Sequence, residues 1–101
     1  MINNKKLKRA RNKIDQIDRD IFNHIKKRTH VIKYMLSLKM YKKQIVDHRR
    51  INEILKNIKK KSIKNGVDPK ITSQIWKSMI WSYIEFQKKN FKKKELFTMR
   101  W

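Results

Sequence analysis

The sequence lacks several features that would point to common classes of small protein. It has no cysteine, which excludes a disulfide framework and a zinc site built on thiolates. Its three histidines stand at no familiar spacing of metal ligands, so we expect no zinc site. We also expect no other metal or cofactor. No apolar run approaches the ~20 residues that span a membrane, and the N-terminus lacks the apolar core of a signal peptide. These absences predict a soluble, cytoplasmic protein.

Glycine and proline are nearly missing as well. One residue of each leaves little material for tight turns, and the alternation typical of strands is scarce. The 101 residues suffice for one domain. We therefore predict a single all-α domain over residues 1–101, with a core over about 7–91 and a basic tail over 92–101.

Acidic residues are few, and the charge balance has two interpretations. The chain has 29 Lys and Arg against 8 Asp and Glu, a net charge of +21. Lys, Ile and Asn together make 45 of the 101 residues, which is typical of an AT-rich coding bias that adds lysines to solvated surfaces. The other interpretation is a positive field that attracts anions.

The first predicted helix is long and runs from about residue 5 to residue 40. Its inward edge has spacings that alternate between four and three residues, as in helices packed on other helices. The positions on this edge are Leu7, Arg11, Ile14, Asp18, Ile21, Ile25, Arg28, Ile32, Met35 and Lys39. A helix of ~35 residues is roughly 50 Å long, too long for the other residues to cover. We therefore expect a second copy of the chain to cover it in an intertwined homodimer.

Two further helices follow from local signals. Asp47 is a good N-cap for a second helix, which ends at Gly66, a residue suited to a left-handed conformation. Asp68 and Pro69 are typical of the start of a third helix. The apolar face of that helix contains Ile75, Trp76, Met79, Ile80, Tyr83, Ile84 and Phe91. The connection over residues 41–46 is short, polar and basic.

Charged residues occupy four of the ten edge positions of the first helix. These are Arg11, Asp18, Arg28 and Lys39, and one aspartate cannot neutralise three cations. Because an unpaired buried charge costs several kcal/mol, the pattern indicates an anionic ligand or a water-filled pocket. Two structural alternatives remain open. The edge is wet and the side chains reach outward to solvent, or the polar residues set the register of a coiled coil.

The positions of these residues resemble the pattern of the all-helical chorismate mutases. The similarity covers about residues 7–91, and the spacing across three helices is more specific than any single motif. The matching residues are Arg11, Ile14-Asp15-Gln16-Ile17-Asp18, Arg28, Lys39, Asp47-His48-Arg49-Arg50 and Gln87, with Asn65-Gly66-Val67-Asp68-Pro69 as the second turn between helices. The resemblance implies an intertwined dimer of three-helix chains. Arg11 of one subunit would then enter the active site formed by the other subunit's Arg28, Lys39, Arg50 and Gln87.

Three details bear on which reaction this resemblance implies. Ile51 follows Arg50 where chorismate mutases usually have a glutamate that binds the C4 hydroxyl of the substrate, and Tyr83 stands where serine is common. Both are similar to isochorismate pyruvate lyase of salicylate synthesis, whereas Asp47 is more similar to the mutases. We predict a lyase giving salicylate and pyruvate, with chorismate mutase as a side activity. The alternative is a chorismate mutase of aromatic amino acid biosynthesis.

The resemblance also implies roles for the site residues. Lys39 and Gln87 would donate hydrogen bonds to the ether oxygen of the substrate, and Arg11, Arg28 and Arg50 would hold its carboxylates. Asp47, Ile51 and Tyr83 would complete the substrate-binding site.

A basic nucleic-acid-binding protein is the alternative from another class. Nucleic acid is not the expected physiological partner, because the sequence shows no helix-turn-helix or other motif that recognises base sequence.

Overall fold

A computed structural model describes residues 3–92 of the chain, and this part is helical. Helix α1 comprises Asn3–Leu38, α2 comprises His48–Lys64 and α3 comprises Pro69–Asn90, with a 3-10 turn at Lys42–Gln44. No strand occurs within residues 3–92, which confirms the all-α prediction. The predicted tail lies outside the described residues from residue 93 onward.

The chain divides into two units, Met1–Tyr34 and Met35–Trp101. The first contains most of α1, and the second contains the end of α1, the 3-10 turn, α2 and α3. The prediction of a single domain stays a prediction. Among the described residues, no helix has the length and apolar character needed to cross a membrane.

In the first unit, α1 leaves its apolar edge open to solvent. Every side chain over residues 3–27 is exposed. Leu7, Ile14, Ile21 and Ile25 on the predicted inward edge are 41–55% exposed in the single chain. Large aliphatic side chains in that state retain much of their hydrophobic driving force for association.

In the second unit, the predicted signals define the start of α2 and both ends of the α2–α3 connection. Asp47 caps α2 by accepting a hydrogen bond from the backbone N–H of Arg50 at 3.0 Å. Gly66 has φ of +69°, and the N–H of Val67 reaches back to the carbonyl of Ser62 at 2.9 Å. This is the geometry of a glycine C-cap. Asp68 then caps α3, with Pro69 in its first turn. These predictions are confirmed.

The core of the second unit is small and aliphatic. Ile45, Ile80 and Ile84 are its buried residues. Partly buried side chains packed around them are Leu36, Val46, Ile51, Ile54, Leu55 and Phe91. Ile45 lies in the connection that the sequence predicts to be polar, and it is only 4% exposed. The connection is therefore attached to the face of α3.

A polar contact joins α2 to α3 near their shared turn. The hydroxyl groups of Ser62 and Thr72 lie 2.6 Å apart, and the Ser62 hydroxyl also lies 2.7 Å from the carbonyl of Ile58. Ser62 is buried, and its hydroxyl is satisfied by these partners. The contact therefore adds a specific polar link to the aliphatic packing of the two helices.

Helix α1 ends two residues before the predicted Met40. The last turn tightens, because the N–H of Lys39 bonds to the carbonyl of Leu36 at 3.1 Å. The next two N–H groups, of Met40 and Tyr41, both bond to the side-chain oxygen of Gln44. A side chain has thus replaced the helical acceptors, and Lys39 lies just beyond the helix rather than on it.

Candidate active site

The second unit brings together two predicted catalytic residues that are far apart in the sequence. The Nζ of Lys39 donates a hydrogen bond of 2.7 Å to Oε1 of Gln87, across a separation of 48 residues. Lys39 follows the end of α1, and Gln87 lies one turn beyond Ile84 on the buried face of α3. Lys39 is partly buried and Gln87 is 5% exposed. A buried glutamine needs a hydrogen-bond partner, and the Lys39 ammonium group is that partner here.

The chemistry of this bond fixes the orientation of the glutamine amide. An ammonium group has only donors, so its partner on Gln87 must be the carbonyl oxygen. The NH2 group of Gln87 is therefore a hydrogen-bond donor, on the side chain that accepts from the Lys39 ammonium group. Together, the two side chains can offer hydrogen bonds to one oxygen that carries negative charge.

Two opposing influences act on the charge of Lys39. Burial lowers the pKa of Lys39 below its ordinary value of 10.5, and the negative charge of Asp47 partly offsets this by raising it. Desolvation disfavours the charged form of an amine, whereas a nearby carboxylate favours it. Asp47 therefore has two functions, since the same carboxylate caps α2.

Arg50 lies in the first turn of α2, on the solvent side. Its guanidinium donates a hydrogen bond of 2.8 Å to Glu53, and its side chain is 60% exposed. An exposed pair of this kind contributes only ~0–1 kcal/mol. Arg50 can therefore exchange Glu53 for another carboxylate at little cost.

Ile51 and Tyr83 occupy the two positions at which the sequence departs from the mutase pattern. Ile51 is partly buried and packs against the aliphatic core. Tyr83 is partly buried on α3, one turn before Gln87. Their roles in the wall of the site stay a prediction.

Arg11 and Arg28 belong to α1 in the first unit. Arg11 is exposed, together with Asp18, whereas Arg28 is partly buried. The charged positions at Arg11 and Asp18 are thus not enclosed in the single chain. Their burial, which the apolar register of α1 predicts, stays a prediction that requires a second copy.

A separate groove between α2 and α3 contains none of the predicted site residues. It has a volume of about 820 Å³. Its lining comprises four lysines and four other residues, namely Lys56, Lys59, Lys70, Lys77, Leu55, Pro69, Ser73 and Gln74. The lining includes no acidic side chain, so the groove is a positively charged surface feature of the second unit.

Sequence reasoning missed two residues next to the site, Gln44 and Ile45. Gln44 holds the chain after Lys39, and Ile45 is buried against α3. The pair Ile45-Val46 inside a basic stretch was the available signal for an anchored connection. Within residues 3–92, no group of three or more His, Cys, Asp or Glu side chains is arranged to hold a metal ion.

A comparison with known protein families gives a match over most of the chain. The sequence profile of the family described as chorismate mutase type II matches residues 10–88. Neither the search of curated proteins nor the search of solved structures gave a match. The matched range contains Arg11, Arg28, Lys39, Arg50 and Gln87, and it extends over most of the sequence. On this evidence of residues and spacing, the chain belongs to the chorismate mutase type II family.

Proposed function

We propose that the chain is a chorismate mutase, which rearranges chorismate to prephenate. The hydrogen-bonded pair of Lys39 and Gln87 carries the proposal, because it supplies two donors side by side in a partly buried position. In this rearrangement the C–O bond of an enol ether breaks while a new C–C bond forms. Negative charge grows on the ether oxygen as its bond lengthens. Donors already in place stabilise that charge by about 3 kcal/mol each.

The substrate has two carboxylates, and the predicted site has arginines to bind them. Arg11, Arg28 and Arg50 are the proposed partners, because a guanidinium group matches a carboxylate with two parallel hydrogen bonds. The weak, exposed pair of Arg50 with Glu53 supports this assignment, since a substrate carboxylate can displace Glu53. Binding both carboxylates would hold the enolpyruvyl arm over the ring and lower the entropic part of the barrier.

The proposal includes a homodimer in which Arg11 is supplied by the second copy. The exposed apolar edge of α1 supports it, because at least four large aliphatic side chains there are about half exposed in the single chain. Covering each such side chain would contribute roughly 1 kcal/mol, about half the value for full burial. The same contact would enclose Arg11 and Asp18, which the single chain leaves in solvent.

The decisive experiment is to assay the purified chain with chorismate and with isochorismate. Formation of prephenate is expected, and Lys39→Ala should lower its kcat by about 100-fold or more, as does the loss of a preorganised donor. Circular dichroism should show unchanged helix content. Lys42→Ala, an exposed lysine in the 3-10 turn, is the matched control and should retain the wild-type rate. A near-normal rate in Lys39→Ala would contradict the mechanism.

Isochorismate pyruvate lyase is the second candidate, and Ile51 favours it. Isochorismate has its hydroxyl on C2, so a glutamate that binds a C4 hydroxyl is dispensable. In the lyase reaction, the ether C–O bond breaks as hydrogen moves from ring C2 to the methylene carbon of the pyruvyl arm. Salicylate and pyruvate leave. The family match does not distinguish this reaction from the mutase reaction, and it supports the mutase at least as well.

The substitution Ile51→Glu tests which reaction the site selects. An added carboxylate at the C4 side should raise kcat/KM for chorismate relative to isochorismate by about 10-fold, the value of one good hydrogen bond to a charged group. Asn52→Glu adds the same charge one residue later on the exposed side of α2 and should leave the ratio unchanged. Rapid salicylate formation by the wild-type chain would make the lyase the main activity, whereas an unchanged ratio in Ile51→Glu would exclude Ile51 as its determinant.

The groove between α2 and α3, which is lined by four lysines, favours a candidate function of another class, the binding of nucleic acid. Phosphate contacts require only basic side chains, and they weaken steeply with salt. This alternative would be supported over the enzyme by two results together. The chain would bind DNA in a salt-dependent way, and the ultraviolet absorbance of chorismate or isochorismate would not change when the chain is added. Conversion of either substrate at salt concentrations that abolish DNA retention would support the enzyme.

A further inference from the structure

After the end of α1, two backbone hydrogen bonds converge on one side chain. Oε1 of Gln44 accepts from the backbone N–H groups of Met40 and Tyr41, each at 2.8 Å. These N–H groups come directly after Lys39, where the helical pattern has ended. One amide oxygen therefore satisfies two consecutive donors that the end of the helix would otherwise leave to water.

The rest of the connection fixes Gln44 in turn. The N–H of Gln44 bonds to the carbonyl of Tyr41 at 3.0 Å, and that of Ile45 bonds to the carbonyl of Lys42 at 3.1 Å. Ile45 then packs into the core with Ile80 and Ile84 of α3. The chain is thus tied on both sides of Gln44, to the end of α1 and to the face of α3.

The same face of α3 carries the partner of Lys39. Gln87 follows Ile84 by one helical turn, and Ile84 packs against the residue next to Gln44. Gln44 is therefore connected to Lys39 through the backbone that follows Lys39, and to Gln87 through the packing of Ile45 on α3. Lys39 and Gln87 are the two partners of the 2.7 Å hydrogen bond. A small displacement of the backbone at residue 40 would move Nζ of Lys39, because its aliphatic stem is attached one residue before.

We propose that Gln44 is a positioning residue, which holds the backbone after Lys39 so that the Lys39 ammonium group meets both Gln87 and the substrate oxygen. The inference rests on the proposed function for its catalytic readout. Gln44 itself does not touch the reacting atoms. Its contacts are with backbone N–H groups of the connection, and its side chain is exposed.

Because these hydrogen bonds are exposed, we expect the loss of Gln44 to lower the catalytic rate without preventing folding. Water can replace Gln44 as acceptor, so Gln44→Ala should fold with unchanged helix content. Water does not hold the backbone in one geometry, and a misplacement of about 1 Å costs up to about 100-fold in rate. We therefore expect Gln44→Ala to lower kcat by about 10-fold or more, with KM within about twofold, because the carboxylate-binding arginines are unaffected.

Matched variants separate the acceptor from the rest of the side chain. Gln44→Glu keeps an oxygen at the same reach and should stay within about threefold of the wild-type kcat, since a carboxylate accepts N–H bonds at least as well as an amide. Gln44→Met keeps the length of the side chain without a strong acceptor, and it should repeat the Ala result. Lys42→Ala, in the same turn, should be unchanged. Wild-type kcat in Gln44→Ala and Gln44→Met would overturn the proposal, and so would an equal loss in Gln44→Glu.

A second readout keeps this inference separate from the proposed function. If the wild-type chain converts neither chorismate nor isochorismate, the proposed function fails, and NMR then decides the role of Gln44. Gln44→Ala should speed hydrogen exchange of the Met40 and Tyr41 amides and move the titration of the Lys39 side chain toward that of a solvated lysine. Unchanged exchange and an unchanged Lys39 titration would overturn the positioning role.

Discussion

The protonation of one side chain, Lys39, determines how strongly the proposed donor pair can stabilise negative charge at the working pH. Lys39 must be protonated to act as a cation, and burial lowers its pKa while Asp47 raises it. Because the protonated form is lost above the pKa, activity should fall on the alkaline side at a lower pH than a solvated lysine would give. Asp47 keeps that fall from moving lower still.

Asp47→Asn should shift the alkaline limb of the kcat/KM profile to lower pH. The substitution removes the carboxylate that favours protonated Lys39, and asparagine caps a helix as well as aspartate does, so α2 should stay intact. Asp68→Asn is the matched control, because it makes the same change at the N-cap of α3. Asp68 precedes Gln87 by 19 residues, roughly 28 Å along the helix. An equal shift in both variants would show that only net charge matters.

Gln87→Glu should make the enzyme active only toward low pH. A carboxylate at this position would still accept from Lys39 but has no proton to donate to an ether oxygen, whereas the protonated acid can donate. Activity should therefore rise as the pH falls through the pKa of the new side chain. Lys88→Glu introduces an acid at the next, exposed position and serves as the control. A flat pH response in Gln87→Glu would place Gln87 outside the site.

Among the helices and turns, the α2–α3 turn depends on one residue with a left-handed backbone. Gly66 has φ of +69°, and a Cβ built there meets no atom within 4 Å. The cost of Gly66→Ala is therefore one of backbone conformation alone, about 1–2 kcal/mol. Urea unfolding should show a lower midpoint with an unchanged slope. Gly66→Asn should lose less, because asparagine tolerates this conformation, and equal losses in the two variants would contradict this explanation.

The helix ends were predictable because their signals are local. A capping aspartate, a proline in the first turn and a glycine after the last turn act within a few residues, and Asp47, Asp68 and Gly66 all have the predicted roles. The end of α1 was predicted two residues late for the opposite reason. Its helical pattern continues through Lys39, and it stops because the Gln44 side chain accepts the next N–H groups.

Burial in the candidate site was less accessible to sequence reasoning. A glutamine near a helix end is usually exposed, whereas Gln87 is buried and accepts a hydrogen bond from Lys39. Ile45 is buried against Ile80 and Ile84 of α3, although it stands in a basic stretch of the sequence. Arg11 and Asp18 show the reverse error. The regular apolar register of α1 predicts that they are buried, yet both are exposed in the single chain. Periodicity identifies a face but not what covers it.

For the assembly as a whole, the exposed apolar edge of α1 predicts association through a second copy. Ile14→Asp combined with Ile21→Asp should convert a dimer to a monomer in sedimentation velocity and lower kcat/KM, because Arg11 would no longer enter the partner's site. Asn12→Asp combined with Asn23→Asp adds the same charge on the opposite side of α1 and should remain dimeric and active. A monomeric wild-type chain with full activity would contradict the shared site.

The bond between Lys39 and Gln87 also bears on when the protein becomes active during folding. Its two ends are 48 residues apart, so local helix formation cannot produce it, and closing so long a loop is among the later and slower steps. A nascent or partly unfolded chain can be highly helical and still have no assembled donors. Recovery of turnover after dilution from denaturant should therefore lag behind recovery of the circular dichroism signal.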